Sequence, residues 1–345
     1  MMQLIFLCFV LLACIIGTKP CSWNDRYIDR AETTSIKGFF VMLVFLNHAN
    51  GYIQTVGGIA NKIYSLFFAL VGQMVVVAFL FYSGYGIREQ YRKKGIAYLK
   101  SFVPKRIGLT YIHFVVALSL FAITALVLRN TYTTKQWILS WLAWENIGNS
   151  NWFIFDILAL YFVAYAALRI SRNNKKKSLL LIWGLSILLW VVLLLFKGGE
   201  RWWYDTILTF PLGFTYSIYK ENIERFLQKK KYWQICFISC TVVFSILYCF
   251  RNAVCISLSA LFFALLIVLL SMKFVVGNKV LNWMGTMVFE IYILQRIPMI
   301  VLQHFGVITA VPFLLVSALA TILLAIVFHR LFIALDEKVK LRITI

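Results

Sequence analysis

Lys37 and His48 stand eleven residues apart in KGFFVMLVFLNHANGY. At about 100° per residue, that spacing returns to nearly the same face of a helix. The residues between them are mostly apolar, so Lys37 falls at a membrane edge and His48 roughly 16 Å deeper, near the midplane. Lys37 and His48 are the expected catalytic pair. An ionisable group at such depth is costly and normally faces a polar cavity. There His48 can act as general base toward an incoming hydroxyl, while the cation receives the phosphates of a donor with a long reactive arm. Plainer roles fit as well: Lys37 as a topology-setting cation and His48 as an interhelical hydrogen-bonding group.

The other ionisable groups inside apolar runs are His113, Asp156, Asp205, Glu290 and Arg296. Asp156 or Glu290 can orient His48 or pair with Arg296 across helices, and His113 reads more readily as an interhelical group than as a catalyst. Tyr292 and Gln295 share the late helix with Glu290 and belong with these supporting residues. Lys105 and Arg106, just before an apolar run, can hold phosphate or simply set topology. Ser83-Gly84-Tyr85 reads as a close-packed helix end or a ligand contact, because glycine lets backbones approach. The 4 histidines are dispersed, so no metal centre is expected.

The elements that position these groups are membrane spans. The chain has 345 residues, 62% hydrophobic and 14% charged, whereas a soluble domain carries roughly 25% charged residues. Apolar runs long enough to cross a bilayer recur at 38–57, 66–87, 107–128, 152–169, 179–196, 204–219, 232–250, 254–272, 283–303 and 309–332. The expectation is an all-α polytopic transmembrane bundle of about ten core helices. An N-terminal anchor over 1–17 precedes a membrane domain at 30–335 and a cytoplasmic tail at 336–345. Net charge is +21, but the cations cluster in alternate short connectors. This favours topology and anionic lipid over nucleic acid, and places the C-terminus in the cytoplasm. Seven cysteines, mostly within apolar runs, give no disulfide ladder.

Several segments resemble the integral-membrane acyltransferase-3 family of bacterial O-acyltransferases. That family opens with Arg or Lys, ten intervening residues and His, and Lys37 and His48 stand in those places. FLFYSGYGI at 79–87, FVPKRIGLTYI at 102–112, NWFIFDILALYF at 151–162 and WMGTMVFEIYILQRIP at 283–298 are similar to later family segments, in the family's order. Two departures stand out: Gln295 occupies the place of a histidine common in the late helix, and Thr34 and Ser35 replace an Asp-Gly before the first basic residue.

The resemblance implies a membrane-bound enzyme of the bacterial cell membrane. Its donor would be acetyl-CoA or another acyl-CoA, and its acceptor a hydroxyl of a surface polysaccharide or lipid-linked glycan. His48 would be the base, and Lys37, Lys105, Arg106 and Ser83 would hold the donor. A transporter or flippase for a polar lipid or glycan is the alternative. Broken helices would favour it, but the chain has only 5 prolines.

Overall fold

The computed structural model describes residues 2–54, 57–172 and 174–344, with side chains to Lys338. Met1 of the expected 1–17 anchor, residues 55–56 at the end of the expected 38–57 span, Asn173 and Ile345 lie outside the described residues. The apolar runs form helices because, without water, each backbone amide must be satisfied inside its own segment. In chain order these are α1 (Met2–Ile15), α2 (Arg30–Ala49), α3 (Ile59–Val71), α4 (Val77–Lys94), α5 (Ile96–Lys100), α6 (Leu109–Val127), α7 (Thr134–Ser140) and α8 (Trp152–Ser171). They continue with α9 (Lys175–Lys197), α10 (Thr209–Leu227), α11 (Lys230–Cys249), α12 (Ala253–Ser271), α13 (Lys279–Thr286), α14 (Val288–Leu294), α15 (Arg296–His304) and α16 (Ala310–Thr344). A short antiparallel pair, β1 (Thr18–Pro20) with β2 (Phe274–Val276), ties the two halves together in the register Thr18 to Val276.

Among the described residues, seven helices are long and apolar enough to span a membrane, α3 and α4 counting as one. The run α13 to α15, bent by 67°, makes an eighth when taken as one broken span. The sequence reads as one continuous helix over 283–303. The chain instead breaks at Met287 (φ −112°, ψ 24°), between the glycine-mediated crossing of α13 and the start of α14. Helices α2 and α10 complete the ten core elements. Their turns at the basic end carry Arg30, Glu32 and Lys37, and Lys220, Glu221 and Glu224, so their average composition is too polar for a lipid-facing span. Both are packed within the bundle. The 14-residue α1 is shorter than the ~20 residues a span needs.

Two crossings depend on glycine. A Cβ at Gly38 would come within 1.9 Å of the Leu281 carbonyl oxygen, and one at Gly285 within 1.9 Å of that of Thr34, so α2 and α13 meet backbone to backbone. Gly84 and Gly213 play the same part between α4 and α10, against the carbonyls of Phe210 and Phe81. The sequence suggests that Cys21 is the exposed cysteine. The structure exposes Cys8 and Cys249 instead, whereas the Cys21 amide bonds to the Lys273 carbonyl and the residue is half-buried. The lipid-facing positions on α1 and α11 account for the difference.

Candidate active site

The helix ends form two rims, one rich in lysine and arginine and the other in tryptophan. Each rim opens into a cavity, and α2 joins the two.

At the basic rim, Lys37, Ser83 and Arg106 line one cavity of about 590 Å³ together with Tyr82, Tyr85 and Tyr161. Arg106 is carried on a π-helical turn, Val103–Gly108, that leads into α6. Such turns interrupt regular helix geometry and re-aim side chains. Its guanidinium lies beside the Tyr98 and Tyr161 phenols and within electrostatic range of Lys37. Lys105 and Arg106 both have exposed surface, but Lys105 is not part of this wall. The acidic groups of the cavity are engaged: Glu89 accepts from Arg92 at 2.7 Å and from Ser217 at 2.7 Å, and Asp29 pairs with Arg26 at 3.1 Å. The free charge there is therefore positive.

At the tryptophan-rich rim, His48 lies in the last turn of α2 and opens onto a second cavity of about 310 Å³. Tyr292 on α14 faces it, with ring centroids 6.1 Å apart, and the His48 Nδ1 is buried without a hydrogen-bond partner among the described residues. Tyr292 donates to the Ser150 carbonyl at 3.2 Å. Arg296 joins them, donating to Tyr52 Oη at 2.9 Å and Ser150 Oγ at 3.2 Å.

The outer wall is built by the connector from α7 to α8. Thr133 and Gln136 form a capping box that starts α7. Ala143 then takes a left-handed conformation (φ 56°), as does Gly148 (φ 99°). Asn149 donates to Asn151 and Asn151 to the Glu145 carbonyl. A Cβ at Gly148 would meet Ile300 at 2.8 Å, so the connector is seated on α15. This fold brings Trp144 against Trp203, with ring centroids 5.4 Å apart. The Lys197 ammonium sits 4.5 Å from each ring centroid and donates to the Trp144 carbonyl at 3.0 Å. The sequence marks Trp144, Trp202 and Trp203 only as headgroup-level aromatics; in the structure all three line the cavity.

The remaining expected residues separate. Asp156 is fully buried on α8, one turn from Trp152 of the outer cavity and five residues before Tyr161 of the basic one, and neither of its oxygens has a hydrogen-bond partner among the described residues. It pairs with neither His48 nor Arg296. Glu290 does not meet Arg296 either: it accepts from or donates to His329 Nδ1 at 2.7 Å, because α16 packs along α14 on that face. His113 bonds Asp336 at 3.0 Å and stacks on Phe332 at 4.0 Å, tying α6 to α16. Gln295 is sealed in the bundle, donating to the Tyr292 carbonyl. Asp205, in the connector before α10, is 3.5 Å from Arg201. Burial pushes its carboxyl up from 3.8 to about 6, with Arg201 partly offsetting the rise. Among the described residues, no three His, Cys, Asp or Glu side chains meet as a metal centre requires.

A family model described as an acyltransferase domain matches residues 30–330. No curated protein and no solved structure matches the chain.

Proposed function

The chain belongs to the acyltransferase-3 family and is a membrane-embedded acyltransferase, and from that premise we propose that it moves an acetyl group from acetyl-CoA to a hydroxyl of a surface polysaccharide or lipid-linked glycan. The observation that supports this reading is the pair of cavities at opposite ends of one helix, Lys37 and Arg106 in one and His48 in the other.

The basic cavity suits the donor. Its unpaired cations match phosphates, and guanidinium pairs with phosphate in a bidentate fork. About thirteen bonds separate the CoA phosphate from its sulfur, and at ~1.2 Å per bond the extended arm reaches ~16 Å. That is close to the helix rise between Lys37 and His48, so a donor held at the basic rim can present its thioester to the base.

The tryptophan-rich cavity suits a sugar. Indole faces cover the C–H faces of a pyranose, while amides and carboxylates such as Asn146 and Glu200 meet its hydroxyls. His48 then removes the proton of the attacking hydroxyl and returns it to the leaving thiolate. By the positive-inside rule the basic rim and the C-terminus face the cytoplasm of a bacterial cell, and anionic lipid surrounds that rim. Of the features seen, the bend at Met287 is the one a transport reading would use, but family membership assigns acyl transfer.

The test is acetyl transfer by the purified full-length chain, supplied with labelled acetyl-CoA and with glycan or lipid-linked sugar acceptors. His48→Ala should remain folded and lose about 10²-fold or more in rate. A folded variant with full activity removes His48 from the mechanism, and a wild-type chain that consumes no acyl-CoA overturns the donor.

A further inference from the structure

An acyl transfer needs more than a base. As the acceptor oxygen bonds to the thioester carbon, the carbonyl π pair moves onto oxygen, and that negative charge forms where little water can solvate it. Hydrogen-bond donors already aimed at this position commonly supply the largest part of the rate enhancement. His48 accepts a proton at that stage and cannot serve as this donor. Tyr292 has committed its hydroxyl to the Ser150 carbonyl, and Gln295 is sealed away from the cavity. Lys197 is held between two indoles and donates to the Trp144 carbonyl, with Glu145 at 3.9 Å.

Arg296 differs from all of these. It opens α15, lines the same cavity as His48, and lies within electrostatic range of that ring. Three bonds fix its guanidinium: Nε to Tyr52 Oη at 2.9 Å, and Nη1 to Ser150 Oγ at 3.2 Å and to the Asn149 carbonyl at 3.4 Å. Each of these acceptors is neutral, and among the described residues no carboxylate pairs with Arg296. Its Nη2 makes no hydrogen bond among the described residues and is not sealed in protein. The result is a cation on the wall of the cavity that holds the base, its plane set by two of its nitrogens and the third unbonded among the described residues. A guanidinium remains charged at any working pH, so it needs no proton from elsewhere.

We infer that Arg296 is a catalytic residue whose Nη2 donates to the oxyanion of the tetrahedral intermediate. The inference rests on the acyl-transfer reading above. The acceptor oxygen forms its bond to the carbonyl carbon while its proton passes to His48. The carbonyl oxygen becomes an alkoxide held by the guanidinium. The C–S bond then breaks as the C=O bond re-forms, and the departing thiolate takes the proton from His48.

The test compares Arg296→Gln, Arg296→Lys, Arg296→Ala and Tyr52→Phe in the full chain, with kcat and the KM of each substrate measured separately. Arg296→Gln should lose about 10²–10³-fold in kcat while KM for acetyl-CoA changes less than about threefold. Arg296→Lys should recover part of that loss, because charge is retained without the fork. Tyr52→Phe, which removes the Nε anchor and keeps the guanidinium, should lose kcat but less than Arg296→Gln does. Added guanidinium ion should partly restore kcat in Arg296→Ala, which separates a chemical role from a folding one. The assignment is overturned if Arg296→Gln keeps wild-type kcat, or if only the KM for the acceptor rises, since that would mark a site for an anionic acceptor group. A wild-type chain that transfers nothing from acyl-CoA overturns the underlying reading as well, an outcome distinct from a normal wild type with an unaffected variant.

Discussion

Gly38 lies directly against the carbonyl oxygen of Leu281, closer than any side chain would allow. The contact sets how α2 crosses α13, one break before the helix that carries Tyr292, so it governs the spacing of the two rings that meet at 6.1 Å in the outer cavity. A residue beside Lys37 thus controls geometry near His48.

Gly38→Ala should therefore cost about 1–3 kcal/mol of stability and Gly38→Val more, since overpacked backbone contacts must move apart. Thermal unfolding in detergent measures the first part. Activity should fall further than stability, because a shift of about 1 Å at a reacting site costs on the order of 10²-fold. Wild-type melting temperature and rate in Gly38→Val would show that the crossing is not tight.

The cations of the basic cavity should act on donor binding. Lys37→Gln and Arg106→Gln should each raise the KM for acetyl-CoA and flatten its dependence on salt, because charge-assisted phosphate contacts are screened by ions. Lys105→Gln is the control: Lys105 does not line the cavity, and its effect on KM should be small. Equal effects from all three would reduce them to topology signals.

The contrast between Lys105 and Arg106 shows what a sequence can display. Helical periodicity made the spans and the shared face of Lys37 and His48 legible, since both depend on residues within one element. Lys105 and Arg106 are adjacent and look equivalent, yet their side chains leave the π-helical turn in different directions, and only the packing of that turn against α8 decides which one lines the cavity. The Glu290–His329 contact joins two helices 39 residues apart, and no local spacing encodes it. Trp144 and Trp203 come together through two connectors that fold over the bundle, so in sequence they look like ordinary interfacial aromatics. The bend at Met287 has no proline to announce it.

Asp205 gives the stability a pH dependence of known sign. Its carboxyl is raised from 3.8 to about 6, so the folded chain holds this proton more tightly than the unfolded one. The contribution to stability is fully present below about pH 4 and is lost as pH rises through 6. The melting temperature of wild type relative to Asp205→Asn should decline between pH 4 and pH 7 and then level off. A constant difference across that range would place Asp205 in an ordinary solvated setting.

If donor and acceptor occupy opposite rims, the acyl group itself crosses the membrane through the protein. The two cavities are separated along α4 by about one turn, from Val76 to Phe79, and the Phe79–Phe153 contact at 6.1 Å lies between them. Asp156, fully buried and without a hydrogen-bond partner among the described residues, lies three residues beyond Phe153 on α8. The barrier is thus thin enough for a thioester arm of ~16 Å to bridge from the basic side. Sealed vesicles of defined orientation decide the matter, with acetyl-CoA supplied only at the basic rim and the acceptor only at the other. Acetylated acceptor should accumulate on the far side, and Phe79→Trp should slow this transfer by narrowing the gap. Product that forms only when both substrates share the basic side would mean that the acceptor is modified there, and the tryptophan-rich cavity would then have another occupant.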